Sequence, residues 1–173
     1  MQQDKFKTDP FFPLSTKPKP ELTPIIVVCG KMCSGKDTFA HLLAKHNHID
    51  IGNIVREITQ TNDRVQNALL GTEISKRLIV LIKESQPCVI TGIRQVSILE
   101  TILKNFNCEL NDFIWLEVST EERKRRFLAR GADKDKNLSF EVYDEKDQKL
   151  GLGEIESYFK EGLFNENVHI IEN

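Results

Sequence analysis

The 173-residue sequence contains no long hydrophobic run. Its most apolar stretches, such as PIIVVC and DFIWLEV, fall far short of the roughly 18 residues of a membrane-spanning helix. The N-terminal residues lack the apolar centre of a secretory leader. The sequence also lacks a second cysteine pair to complement Cys29-x3-Cys33, which argues against a zinc site. Three of the four cysteines (Cys29, Cys33, Cys88 and Cys108) lie in or beside apolar runs and read as small buried hydrophobes. A net positive charge is missing as well. The 24 Lys and Arg against 26 Asp and Glu leave −2, so no global field draws in a polyanion. No internal repeat is evident. These absences set the expectation of a chain in a reducing, cytoplasmic setting with neither membrane nor nucleic acid as partner. With 39% hydrophobic and 29% charged residues, the composition is that of an ordinary globular chain, and the length suits one compact domain.

Residues 1–24 carry several prolines and no hydrophobic period, and read as an extended or mobile arm. From residue 25 onward, short apolar runs alternate with helical patterns. PIIVVC, HIDI, PCVITG, DFIWLEV and NVHII read as strands. DTFAHLLAKH, GNIVREITQ, DRVQNALLGTEISKRLIVLIKES (with a break at Gly71), VSILETILKNF, STEERKRRFLAR, LSFEVYDEKDQKL and EIESYFKE read as helices. In the first helix Phe39, Leu42 and Leu43 share one side. Ser119-x-x-Glu122 forms a capping box at the start of STEERKRRFLAR. This alternation predicts an α/β fold, a parallel sheet covered by helices on both faces.

The stretch CGKMCSGKDTF holds most of a phosphate-binding loop, G-x-x-x-x-G-K-[ST]. Gly30, Gly35 and Lys36 are in register between a buried strand and a helix. Glycines let successive backbone N–H groups converge on phosphate oxygens, and the helix dipole adds to that field. Lys36 is placed to bridge β- and γ-phosphates, with Gly30, Lys31, Cys33, Ser34, Gly35, Lys36, Asp37 and Thr38 as the nucleotide-binding set. The last position departs from the pattern: Asp37 stands where a hydroxyl is expected. A carboxylate is a hard oxygen ligand and suits Mg²⁺, so Asp37 is the candidate metal ligand.

This GKxxSGKDT loop resembles the G-K-D variant of phage-type deoxynucleoside monophosphate kinases and animal phosphomevalonate kinases. IDIGNIVREI is similar to the acceptor segment of adenylate kinase-like enzymes, and VITGIRQV to the segment after their third strand. The resemblance puts Arg56 and Arg94 on the acceptor phosphate. Gln95 is a further acceptor-side candidate, and Asp50, just before the acceptor segment, reads either as a group that orients the acceptor or acts as a base, or as a solvated strand-end acid. Each arginine alone reads equally as a surface ion-pair residue. RVQNALLGTEISKR resembles a phage-type segment through Arg64, Gln66, Gly71, Thr72 and Glu73. TEERKRRFLAR is similar to R-x-x-R-x-x-x-R of archaeal dephospho-CoA-kinase-like proteins. Helical spacing puts Arg123, Arg126 and Arg130 on one face, with Phe127 and Leu128 towards the core. The resemblance places Arg126 and Arg130 near the transferring phosphoryl group, whereas Lys124 and Arg125 read as a solvated face. Two features depart from related patterns. Thr91 stands before Gly92, where these families carry an acid, and Gly52 stands where bacterial dephospho-CoA kinases prefer one. His41, His46 and His48 lie close together without metal-site spacing and read as surface residues.

Over residues 25–173 the resemblance implies a three-layer P-loop NTPase with a five-stranded parallel sheet in order 2-3-1-4-5. Acceptor-binding helices would span about 52–86 and a short lid loop about 131–138. It implies an enzyme that uses ATP and Mg²⁺ to phosphorylate a (deoxy)nucleoside monophosphate. The alternatives are another phosphorylated acceptor (dephospho-CoA or phosphomevalonate) and a nucleotide sensor with little turnover.

Overall fold

The computed structural model describes residues 24–60, 70–107, 110–130, 139–162 and 167–172. The N-terminal arm, Arg64, Gln66, Cys108 and the lid segment 131–138 lie outside the described residues. The elements run β1 (Ile25–Gly30), α1 (Lys36–Leu42), β2 (Asn47–Asp50), α2 (Ile51–Thr59), α3 (Gly71–Ser85), β3 (Cys88–Thr91), α4 (Val96–Asn105), β4 (Asp112–Glu117), α5 (Thr120–Ala129), α6 (Phe140–Lys149), α7 (Leu152–Lys160) and β5 (Val168–Glu172). The five strands form one parallel sheet in the expected order β2-β3-β1-β4-β5.

β1 shows why the sheet is covered on both sides. Its side chains alternate: Ile25, Val27 and Cys29 join one core cluster, and Ile26 and Val28 join another. The first cluster packs against α2, α3, α4 and α7. From α3 it takes Ile74, Leu78 and Ile82, an i, i+4, i+8 stripe. The second packs against α1 through Ala40, with Phe39 and Leu43 at its edge. Burying each such side chain stabilises the fold by about 1.5–3 kcal/mol.

Two expected core positions face solvent instead. α1 ends at Leu42 rather than running through KH, because the chain turns there to enter β2. Leu43 N–H donates to Ala40 O at 3.0 Å, and His46 N–H to Leu43 O at 2.9 Å. Phe39 and Leu43 reach the sheet, and Leu42, rotated off that stripe, is 77% exposed. On α5, Phe127 packs inward but Leu128, about 100° further round, is 69% exposed. The inward side of α5 carries Arg123, which is fully buried, together with Phe127.

Strand order fixes where a site can lie. After β1 the chain passes to one side of the sheet for β2 and β3, then to the other for β4 and β5. The carboxyl end of β1 is therefore the topological switch point, and the Gly30–Lys36 loop leaves from it.

Candidate functional site

The loop's path is set by steric necessity. Gly30 sits at φ +149°, and a Cβ there would lie 2.7 Å from Ser34 Oγ and 2.8 Å from Leu116 O. No larger residue fits without moving backbone. Gly35 adopts φ +92° and Cys33 φ 62°, so the chain curls through two left-handed positions. The outer wall is anchored by apolar contact. Met32 and Cys33 are buried against Phe140, with Phe127 and Tyr143 packed beside them. Ser34 is fully buried within the curl.

Lys36 folds back into this curl. Its Nζ donates to Gly30 O and Lys31 O, each at 2.8 Å, and to Ser34 Oγ at 3.3 Å. An ammonium has three N–H donors, and all three are used. Burial, and next the positive charge of Arg94, push its pKa down from 10.5 to about 8. Asp147, Asp37 and Cys29 oppose that shift. At the start of α1, Gly35 is the N-cap and no side chain caps the helix. A Cβ-free curl, an ammonium within it and an uncapped run of N–H donors fit the phosphates of a nucleotide.

Other side chains converge on the loop from distant elements. Arg126 donates from NH1 to Ser34 O at 3.4 Å, while its Nε donates to Glu122 at 2.7 Å. Hydrogen bonds from Arg125 and then Arg126 hold the Glu122 carboxyl down at about 2. Arg94, just past β3, pairs through Nε with Asp147 Oδ1 at 3.1 Å, and Asp147 is 2% exposed. Arg123 makes a two-pronged bond to Asp144 at 2.5 and 3.2 Å, reaches Met32 O at 3.5 Å and lies over the Phe140 ring. It clamps the loop to α5 and α6. The expected face of three arginines therefore separates. Arg123 is a structural tie, Arg126 touches the loop, and Arg130 lies exposed at the end of α5.

Asp37 is exposed in the first turn of α1, and its Oδ1 accepts from Thr91 Oγ1 at 3.2 Å. Thr91 is fully buried and meets His48 Nε2 at 2.9 Å on its other side. Thr38 is exposed beside Asp37. Asp50 caps α2 by accepting from Gly52 N–H at 2.9 Å, and it pairs with Arg56 at 3.4 Å. A Cβ on Gly92 would lie 2.7 Å from Asp50 Oδ1, so the ends of β2 and β3 abut. Gln95 is the N-cap residue of α4, and its Oε1 would meet a Cβ on Gly71 at 2.9 Å. Lys31 turns away from the curl to Glu156 on α7 at 3.0 Å.

Residues 26–150 match a family model described as AAA domain. The chain belongs to this P-loop, kinase-like family. No curated protein sequence matches it. Among solved structures, its fold is similar to shikimate kinase from Acinetobacter baumannii in complex with shikimate. That match has TM-score 0.54 and 19% identity over 87% of this chain and 83% of that one. A second similarity is to a chain of the Pnkp1/Rnl/Hen1 RNA repair complex. There the TM-score is 0.56 and the identity 16%, over 84% of this chain but only 49% of that one. These likenesses show the P-loop kinase-like fold. Among the described residues no helix is long and apolar enough to cross a membrane, and no cluster of His, Cys, Asp and Glu forms a metal site.

Sequence reasoning missed two kinds of partner. Asp144 and Asp147 hold Arg123 and Arg94, yet in the sequence they are acids on an amphipathic helix. Their i, i+3 spacing on DEKD was the available signal. His48 is exposed, as expected of a surface residue, yet its ring also reaches Thr91. The parallel register, Asp50 beside Thr91 and His48 beside Val89, makes that diagonal contact available.

Proposed function

We propose that the chain is an ATP-dependent phosphotransferase whose acceptor is a small phosphorylated molecule, foremost a (deoxy)nucleoside monophosphate. The observation that carries this reading is the surplus of cations around one loop. Lys36 lies inside the curl, Arg126 is in contact with it, and Arg94 is close enough to depress the lysine's pKa. Tethering a nucleotide needs the loop and its lysine. Arginines delivered by two further elements suit a second phosphate and the charge that develops during transfer.

On this reading, bound ATP with Mg²⁺ supplies the transferable γ-phosphoryl group. Gly30, Lys31, Cys33, Ser34, Gly35, Lys36, Asp37 and Thr38 form the phosphate cradle, with Asp37 as the oxygen ligand for the metal. Lys36 exchanges loop carbonyls for phosphate oxygens. Arg126 and Arg130 face the transferring group. Arg94 and Arg56 grip the acceptor phosphate, with Asp50 and Gln95 orienting the acceptor. The pairing of Arg94 with the buried Asp147 supports a positioning role, because it holds the guanidinium just past the end of β3.

The test is ADP release measured over a panel of nucleoside and deoxynucleoside monophosphates, dephospho-CoA, phosphomevalonate and, as an unphosphorylated contrast, shikimate. Turnover with a monophosphate, lost in Lys36→Ala, is the expected result. ATP binding without turnover on any acceptor would favour the nucleotide-sensor alternative.

A further inference from the structure

We infer that His48 is a positioning residue that sets Asp37 through the hydroxyl of Thr91. The inference rests on the phosphotransfer reading above, in which Asp37 is the metal's oxygen ligand. Three side chains from three elements form a line. His48 of β2 meets Thr91 Oγ1 at 2.9 Å, and Thr91 of β3 reaches Asp37 Oδ1 of α1 at 3.2 Å.

The direction of the line follows from donor counting. A hydroxyl has one proton, and an ionised carboxylate only accepts. The Thr91 proton therefore goes to Asp37, and the oxygen of Thr91 accepts from His48. That requires the proton of the His48 ring to sit on Nε2. The buried hydroxyl is then satisfied on both sides, as a fully buried polar group must be. One ring edge of His48 also packs against His41 in the last turn of α1, with centroids 5.4 Å apart and planes at 75°, which restricts ring rotation.

The consequence is orientation of a carboxylate on an otherwise exposed residue. With Oδ1 held by Thr91, Oδ2 of Asp37 is presented in a fixed direction beside Lys36. A loose aspartate loses that direction to side-chain rotation when it binds a cation, whereas a held one does not. His48 thus acts on metal-assisted nucleotide binding without touching metal or nucleotide.

The experiment combines a spectrum with two titrations. In the ligand-free protein, ¹⁵N-detected histidine spectra should show His48 as the Nε2–H tautomer; an Nδ1–H ring would overturn the direction of the line. Binding of a fluorescent ATP analogue is then measured without metal and across a Mn²⁺ series. His48→Ala should leave metal-free affinity unchanged and raise the Mn²⁺ concentration at half-saturation several-fold. His48→Gln, which keeps a donor at Nε2, should restore most of the difference. Thr91→Val should match His48→Ala, and the double variant should lose no more than either single one. Equal Mn²⁺ dependence in His48→Ala and the parent, or equal loss in the Ala and Gln variants, would overturn the proposal. Failure of the underlying reading is distinct: Lys36→Ala would then bind the analogue as well as the parent under both conditions.

Discussion

The buried ammonium of Lys36 makes nucleotide binding depend on pH in a way that can be calculated. In the free protein its pKa lies at about 8, lowered first by burial and then by Arg94. A bound triphosphate places negative charge against the ammonium and favours its protonated form. If that restores at least the ordinary value of 10.5, binding at high pH must be accompanied by proton uptake. Between about pH 7 and about pH 9 the free lysine passes from mostly charged to mostly neutral, so the apparent affinity for ATP should weaken roughly tenfold, or ~1.4 kcal/mol. Near pH 8, calorimetry in buffers of different ionisation enthalpy should show uptake of about half a proton per nucleotide. Two variants test the cause. Arg94→Met removes a like charge and should move the onset to higher pH, whereas Asp147→Asn removes an opposing charge and should move it lower. Affinity that is flat across this range, with no proton uptake, would refute the reasoning.

The same lysine has a signature in stability. Its folded pKa lies below its unfolded one, so the unfolded chain binds the extra proton between about 8 and 10.5. Stability from this group therefore rises with pH through that window. The advantage of Lys36→Met over the parent in denaturant unfolding should shrink over the same range. At pH 7, where Lys36 is already charged, Arg94→Ala and Arg56→Ala should each weaken acceptor binding by about 1.5–3 kcal/mol per lost charged hydrogen bond, with little change for ATP; acceptor titrations that match the parent would remove the assigned acceptor site. Asp144→Ala leaves the buried Arg123 guanidinium without its partner and should cost about 3 kcal/mol in urea unfolding, whereas Glu141→Gln, which breaks the exposed pair with Lys124, should leave the midpoint unchanged. Asp37→Ser should bind metal-free ATP at least as well as the parent and need more Mg²⁺ for its full rate, which a Mg²⁺ series on both proteins measures.

The sheet was legible because each of its inner strands is a short apolar run buried on both faces, and such runs stand out between helical patterns. The loop was legible because its geometry demands particular residues: Gly30 has no room for a Cβ, and Gly35 needs a left-handed backbone. The end of α1 was not. The sequence continues as a plausible helix past Leu42, and only the need to return the chain to β2 ends it. α5 misled for a related reason. Helical spacing puts Leu128 on the core-facing side and Arg123 on a separate face with Arg126 and Arg130. An arginine with a carboxylate partner can be buried, however, and the partner of Arg123, Asp144, lies on a different helix. Pairings of this kind come from tertiary packing, which no local pattern encodes.

The placement of Asp37 bears on two departures from the usual pattern, one after the loop lysine and one at the end of β3. The usual P-loop carries a hydroxyl after its lysine, the G-K-D families that this loop resembles carry the acid found here, and related kinases have a further acid at the end of the third strand. This chain has Asp37 at the first place and Thr91 at the second. Read separately, Asp37 is a change of oxygen ligand and Thr91 is the loss of an acid. In the fold they touch, Thr91 Oγ1 donating to Asp37 Oδ1 at 3.2 Å. The pair therefore presents one carboxylate and one hydroxyl to the same small region, with the two groups exchanged between α1 and β3. Local charge beside Lys36 is maintained, since Asp37 is among the acids that offset the lysine's desolvation. A lone acid at position 37 with an apolar residue at 91 would keep the charge but lose the contact that orients it. A hydroxyl at both positions would keep polarity but lose the charge. The Asp37–Thr91 pair keeps both, with one group at the start of α1 and the other at the end of β3.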